Sequence, residues 1–168
     1  MKKFLKLVIL FLITLATLTP TFAKETYTLT AGVSVEELPD AIFGSWSVQA
    51  QIVDASNYGV FKPKSTDLWN LSRNGNVLNL SNPFTGASAD VLLKAAQGNV
   101  VMFTRIVNYE NKRLIDEVKI RLEENTFSGI NEIRLDQFSA VDNSLIRSDK
   151  ARYEIKGEKL SGGNILTD

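Results

Sequence analysis

The chain has 168 residues with 19 basic and 19 acidic side chains, and it contains neither cysteine nor histidine. The absence of cysteine excludes a disulfide framework. Without histidine and cysteine there can be no Ser-His or Cys-His nucleophile pair, no common zinc site and no haem held by those residues. We therefore expect a protein that is not an enzyme and uses no cofactor or metal. No basic cluster is present, which argues against nucleic acid as a partner.

The first 23 residues have the pattern of a secretory signal peptide. Lys2, Lys3 and Lys6 precede an apolar run over 7–18, and small residues lead up to Ala23. This order of charged, apolar and small segments is typical of a leader that is removed on export. The apolar run is short for a membrane span. We expect cleavage after about Ala23, a secreted or periplasmic location, and no membrane span in the remaining chain, whose 16 basic and 19 acidic residues give a net charge of −3.

Residues 24–43 are predicted to form a polar leader followed by one or two helical turns. Ser34 and Glu37 have the spacing of a capping box, which satisfies free amides at a helix start. Pro39 suits the first helical position of a second short turn. From Gly44 the pattern changes to period two, so 44–168 is predicted to be one β domain with a core of its own.

Alternation of apolar and polar residues predicts the first strands. One face of the first strand carries four apolar residues, namely Trp46, Val48, Ala50 and Ile52. Asn74-Gly75 is a preferred pair for a two-residue hairpin turn, because both positions need positive φ. Such a turn sets Leu71 opposite Leu78 and Trp69 opposite Leu80, with all four on one face.

Further strands are predicted over 87–96, 100–109, 114–122, 127–135 and 151–155, with a short final strand over 159–166. Turns are expected at 97–99, at 110–112, at 124–125 and at Gly157-Glu158, and a looser loop over 136–149. A helix is an alternative for 114–122, since Leu114, Val118 and Leu122 also share a helical face. We favour the strand, because apolar residues alternate there with charged ones.

About eight strands joined mostly by hairpin turns predict an all-β fold. Consecutive antiparallel strands with one apolar face bury that face and hide their edges by closing into an up-and-down barrel. An eight-stranded barrel has room for a packed core or for one small ligand. The expected fold is therefore a single antiparallel barrel preceded by a short helical turn.

The segment Gly44-Ser45-Trp46, directly after the helical turn, resembles the Gly-x-Trp opening of the lipocalin and avidin group, the calycins. This resemblance implies a lipocalin-like barrel in which Trp46 closes one end and packs against an arginine from a late strand. Arg152 is the best positional candidate for that arginine, and Arg134 is the alternative. The chain is also similar in architecture to periplasmic protease-inhibitor barrels with the same opening, although those carry a disulfide that this chain cannot form.

Candidate ligand-binding residues are the aromatic and polar side chains that the predicted strands turn inward. Aromatic residues commonly line apolar pockets, and their alternative role is to fill the core. Asp116 is costly on an apolar face unless it is paired, so it is a candidate ligand contact, as is Asn131. The candidates are Trp46, Trp69, Phe103, Asp116, Phe127, Asn131 and Tyr153.

The loop over 54–66 contains Tyr58 and Phe61, which suit contact with a partner; the alternative is that Phe61 acts as a lid on the barrel. The adjacent carboxylates Asp116 and Glu117 point to opposite strand faces, so they do not form an acid–base pair.

Our first hypothesis is a binding protein for a small hydrophobic ligand. The alternative is a protein-interaction or inhibitor-type barrel with a filled core and a contact surface on the loop over 54–66.

Overall fold

The computed structural model describes residues 33–162, which form a closed antiparallel barrel of eight strands. The strands are β1 (Gly44–Ala55), β2 (Lys64–Asn74), β3 (Val77–Asn82), β4 (Ala87–Gln97), β5 (Val100–Tyr109), β6 (Lys112–Glu123), β7 (Thr126–Phe138) and β8 (Leu145–Ser161). Each strand pairs with the next one in sequence, and β8 pairs with β1. The predicted all-β, up-and-down barrel is therefore confirmed. The predicted signal peptide lies outside the described residues.

Period-two alternation sets the inner wall of the barrel. In β6, for example, Val118, Ile120 and Leu122 are buried, and the charged residues between them are exposed. This is a strand pattern, in which successive side chains point to opposite faces, so the preference for a strand over a helix at 114–122 was right. In β1 the buried residues Trp46 and Val48 begin the same alternation.

Two short 3-10 helices, Val35–Glu37 and Asp40–Ile42, precede the barrel. Ser34 Oγ accepts a hydrogen bond from the Glu36 amide at 3.2 Å, and the Glu37 carboxylate accepts one from the Ser34 amide at 3.4 Å. This is the predicted capping box. Pro39, however, is the N-cap of the second helix and not its first helical residue.

Trp46 lies at the point where this segment meets the barrel and is completely buried. Its indole Nε1 donates a hydrogen bond to the Ile42 carbonyl at 2.8 Å. Lys159 Nζ lies 5.1 Å from the centre of the indole ring and donates to the Ala41 carbonyl at 2.7 Å. Burial lowers the pKa of Lys159. Trp46 therefore closes this end of the barrel, which we call the closed end.

The prediction that Arg152 or Arg134 packs against Trp46 was wrong. Arg152 lies on the outer wall, where it faces Glu132 at 3.7 Å, and Arg134 lies beside Asp136 at 3.3 Å. Lys159 takes the place expected for an arginine. It does so because β8 continues through Gly157, so Lys159 falls on the inner face.

Gly157 was predicted to make a turn, and this was also wrong. It lies inside β8, paired with Val48 on one side and Phe127 on the other. A Cβ atom at Gly157 would overlap the ring of Phe127. Glycine inside a strand often marks such a close approach. The loop predicted over 136–149 is likewise shorter, because β7 runs to Phe138 and β8 begins at Leu145.

The hairpin between β2 and β3 has a different strand register from the predicted one. Leu71 pairs with Leu80, and the pair Asn74–Val77 flanks the turn. Gly75, with φ of 60°, therefore occupies the first turn position, as a type II′ turn prefers. The shift moves pairing partners by two residues, so the same side chains still face inward and the hydrophobic pattern could not distinguish the two registers.

Candidate site at the open end of the barrel

The loops of an up-and-down barrel alternate between its two ends. The connections at 56–63, 83–86, 110–111 and 139–144 lie at the end opposite the 3-10 helices. We call this the open end, because the helical segment with its buried Val35, Leu38 and Ile42 covers only the other end.

Four of the predicted ligand-binding residues pack against one another. The ring centres of Trp46 and Phe127 are 5.1 Å apart, those of Trp69 and Phe127 5.9 Å, and those of Trp69 and Phe103 6.2 Å. All four side chains are buried. This aromatic cluster fills the barrel near the closed end, so a ligand inside the barrel would lie nearer the open end.

Asp116 lies on the inner wall of β6 and is 2% exposed. Arg105, its partner in the β5–β6 ladder, donates to Asp116 Oδ2 from Nε at 2.7 Å and also from Nη2. The Arg105 side chain is 29% exposed, so the ion pair is only partly shielded from water. A buried carboxylate needs such a partner. Arg105 was not among the predicted site residues, because a turn over 110–112 sets it opposite Glu117, whereas the turn at 110–111 sets it opposite Asp116.

Asn131 lies beside this ion pair on β7. Val118 pairs with Asn131 and Asp116 with Ile133, so Asp116 and Asn131 are diagonal neighbours on the inner wall, with Cα atoms about 7–8 Å apart. Asp116 Oδ1 and Asn131 Oδ1 are both buried without a hydrogen-bond partner. Buried polar atoms are normally paired, so these two oxygens mark a place where a donor is missing.

Tyr153 connects this inner wall to the loop between β1 and β2. It pairs with Asn131 across the β7–β8 ladder, and its hydroxyl donates to the Lys62 carbonyl at 3.0 Å. Burial raises the pKa of Tyr153. Phe61, next to Lys62, packs on the hydrophobic core, whereas Tyr58 is 60% exposed. The loop over 56–63 therefore covers part of the open end.

Truncation of the two loop aromatics should separate their roles. Phe61→Ala is expected to lower the free energy of unfolding by about 1–2 kcal/mol, less than a fully buried phenylalanine would lose. Tyr58→Ala should change it by less than about 0.5 kcal/mol, as is usual for exposed positions. Urea unfolding followed by circular dichroism measures both. Equal effects for the two variants would contradict the assignment of Phe61 as the residue that holds the loop on the barrel.

The outer wall carries a separate charged cluster near the open end. Asp136 accepts hydrogen bonds from Ser148 at 2.7 Å and Arg113 at 3.1 Å. Burial raises the pKa of Asp136, but those hydrogen bonds and the charges of Arg134 and Arg113 lower it below its usual value. Arg113 also lies over the Phe138 ring at 5.2 Å. These contacts tie β6, β7 and β8 together.

Grooves on the outer wall of β5–β8, one of which extends to Asp54 at the end of β1, bring together charges of both signs, among them Glu132 and Arg152. Within 33–162, no three acidic side chains come together in a way that would hold a metal ion. The same part of the chain contains no helix long and apolar enough to cross a membrane.

Comparison with protein-family models, with curated proteins and with solved structures gave no match. The fold and the site by themselves define the class of this protein. It is a closed eight-stranded antiparallel barrel in which Trp46 closes one end and a loop covers part of the other.

Proposed function

We propose that this chain is an exported, non-enzymatic binding protein that holds a small apolar ligand inside the open end of the barrel. The observation that carries the proposal is the pair of unpartnered oxygens of Asp116 and Asn131, buried on an inner wall that combines apolar side chains with the ion-paired carboxylates Asp116 and Asp149. Small-molecule sites combine such a wall with a few placed polar groups. Ile52 and Ile133 on the same wall are only partly buried, which supports access from this end.

The proposal includes a lipocalin-like assignment. Its support is Gly44-x-Trp46 at the start of the first strand, together with a cation over the indole ring. It also includes export, supported by the charged, apolar and small segments of the first 23 residues. Phe61 serves as part of a lid in this proposal, and ligand entry requires the loop over 56–63 to move away from Tyr153.

Native mass spectrometry of the protein, purified from the periplasm of an expression host, tests this function. We expect a reproducible adduct of small-molecule mass that is lost when the protein is denatured. A variant with Ile133→Arg, which places a charge on the inner wall of the open end, should be recovered without the adduct. Outer-wall Met102→Arg is the matched control and should keep it. A bare mass for the unmodified protein would contradict the proposal.

A second candidate function is contact with another protein through the open end. Most of the exposed large apolar residues in the described part of the chain lie on or beside the loops of this end. They are Tyr58, Val60, Phe84, Tyr109, Val141, Leu145 and Ile146. Loop-borne aromatic residues often act as anchors in interfaces. Phe84, which is 86% exposed, is the most prominent aromatic of this set.

Chemical cross-linking in a periplasmic extract tests this second candidate. A protein cross-linked to the unmodified chain and lost with Phe84→Ser and Val141→Ser together would favour it. Leu160→Ser, on the outer wall away from these loops, is the control and should leave the cross-link in place. No cross-linked protein, or one that survives the double substitution, would contradict this candidate.

A further inference from the structure

The polar side chains inside the open end, Arg105, Asp116 and Asn131, leave two hydrogen-bond acceptors without a donor. Arg105 Nε and Nη2 both donate to one oxygen of Asp116, Oδ2. The other oxygen, Oδ1, has no partner, and neither does the amide oxygen of Asn131. The site therefore offers two buried acceptors, and each can take a hydrogen bond from a ligand.

The charge of the site decides what kind of donor it suits. The positive charge of Arg105 already compensates that of Asp116. Arg147, 2.6 Å from Asp149, compensates that buried carboxylate on the same wall, so both ion pairs are neutral as a whole. A cationic ligand would leave one uncompensated positive charge in a largely buried place, which is costly. An anionic ligand would bring acceptors toward two oxygens that are themselves acceptors. The complementary group is neutral and carries N–H or O–H donors.

The surroundings decide the rest of the ligand. Asp116 and Asn131 lie among Val118, Ile133 and Tyr153 on the inner wall, and Phe61 packs on the core from the loop side. An apolar body fits this wall, and its polar end has to reach the two oxygens. Asp116 Oδ1 and Asn131 Oδ1 belong to diagonally adjacent residues. They therefore suit a ligand group in which one nitrogen carries two N–H donors.

We propose that the ligand of the open end is an apolar molecule ending in a neutral hydrogen-bond donor of the primary carboxamide type, whose two N–H groups pair with Asp116 Oδ1 and Asn131 Oδ1. This inference rests on the proposed function, because it assumes that the open end takes a ligand. Beyond that function, the chemical class of the ligand is a neutral amide, and the two atoms that bind its N–H groups are Asp116 Oδ1 and Asn131 Oδ1. Arg105 acts as a positioning residue, because it fixes the Asp116 carboxylate and leaves one oxygen free.

Three small molecules with the same seven-carbon alkyl chain test the inference by isothermal titration calorimetry. Octanamide, 2-nonanone and octanoate differ only in the group on the carbonyl carbon, which is NH₂, CH₃ or O⁻. Octanamide should bind about tenfold more tightly than 2-nonanone, since it makes two hydrogen bonds to buried acceptors that the ketone cannot make. Octanoate should bind most weakly of the three.

A double variant, Arg105→Met with Asp116→Leu, tests the named atoms. It removes both charges together, because an apolar replacement of a whole buried ion pair is usually tolerated, whereas removal of one partner is not. The variant should lose most of the preference for octanamide over 2-nonanone. The matched control is Arg152→Gln with Glu132→Gln, an ion pair on the outer wall, and it should keep the preference. Thermal unfolding of both variants verifies that they are folded.

The outcomes separate the two proposals. If octanamide and 2-nonanone bind equally, the inference about the donor group fails and the proposed function stands. If octanoate binds most tightly, Arg105 reads a carboxylate and the inference is again overturned. If none of the three probes binds, both the inference and the proposed function of the open end are overturned. A preference for octanamide that survives in the double variant contradicts the assignment to Asp116.

Discussion

Replacement of Trp46 by alanine is expected to lower the free energy of unfolding by about 3–5 kcal/mol. The side chain is completely buried, and it contacts three parts of the fold: the Ile42 carbonyl, the Phe127 ring and the Lys159 ammonium. The substitution removes all three contacts and leaves a cavity that the rigid barrel wall closes only partly. Guanidinium unfolding followed by far-ultraviolet circular dichroism measures the loss.

Two further variants separate the causes of this effect. Trp46→Phe keeps most of the ring but loses the hydrogen bond to Ile42, so it should cost less than Trp46→Ala. Met102→Ala, on the outer wall, should change the free energy of unfolding by less than about 1 kcal/mol, in the range usual for surface positions. A loss below about 1 kcal/mol for Trp46→Ala would contradict the assignment of Trp46 as the plug of the closed end.

The second large effect is expected at Gly157. Gly157→Ala should lower the free energy of unfolding by about 1–3 kcal/mol, because overpacking a core forces neighbours from their preferred positions. The new Cβ would overlap the Phe127 ring, and that ring is held between Trp46 and Trp69. It therefore has little freedom to move away.

Gly59→Ala is the matched control for this overpacking. Only the Asn57 side chain lies near the new Cβ, at 3.3 Å, and the backbone at Gly59 does not have positive φ. Because Gly59 is exposed, this substitution should change the free energy of unfolding by less than about 0.5 kcal/mol, as is usual for surface positions. In addition, Phe127→Leu combined with Gly157→Ala should cost less than the sum of the two single effects, since residues in contact are not additive. If the double variant loses as much free energy of unfolding as the two single variants together, the Gly157 Cβ position and the Phe127 ring are not in contact.

Much of the fold could be predicted because strand faces follow directly from period-two alternation. The face of β1 that carries Trp46 and Val48 and the buried face of β6 were both legible in the sequence. The capping box at Ser34 and Glu37 was legible for a similar reason, because it depends on residues three positions apart. Local patterns of this kind need no knowledge of the rest of the chain.

The errors arose where a residue's role depends on a distant contact. Gly157 has the local character of a turn residue, and only the Phe127 ring across the barrel explains a glycine inside a strand. The wrong turn at Gly157 concealed Lys159, which would otherwise have been placed on the inner face. Arg152 was chosen as the partner of Trp46 from its position late in the chain, and the alternation of β8 places it on the outer wall.

The candidate site shows the same division. Asp116 could be singled out from its strand alone, because a carboxylate on an apolar face is unusual. Arg105 was missed because the turn was predicted at 110–112, which sets Arg105 opposite Glu117. The turn lies at 110–111, is one residue shorter, and pairs Arg105 with Asp116. The unpartnered oxygens of Asp116 and Asn131, however, depend on the closed barrel and on side-chain orientation, which no local pattern contains.

Nuclear magnetic resonance spectra of the isotope-labelled protein, titrated with octanamide, test the central claim most directly. If the ligand enters the open end, the amide signals of Phe61, Asp116, Asn131 and Tyr153 should shift together in a saturable way. The indole N–H signal of Trp46 should stay in place, because it is bonded to Ile42 in the filled closed end. Shifts confined to the outer wall of β5–β8, or no saturable shift at all, would contradict the account.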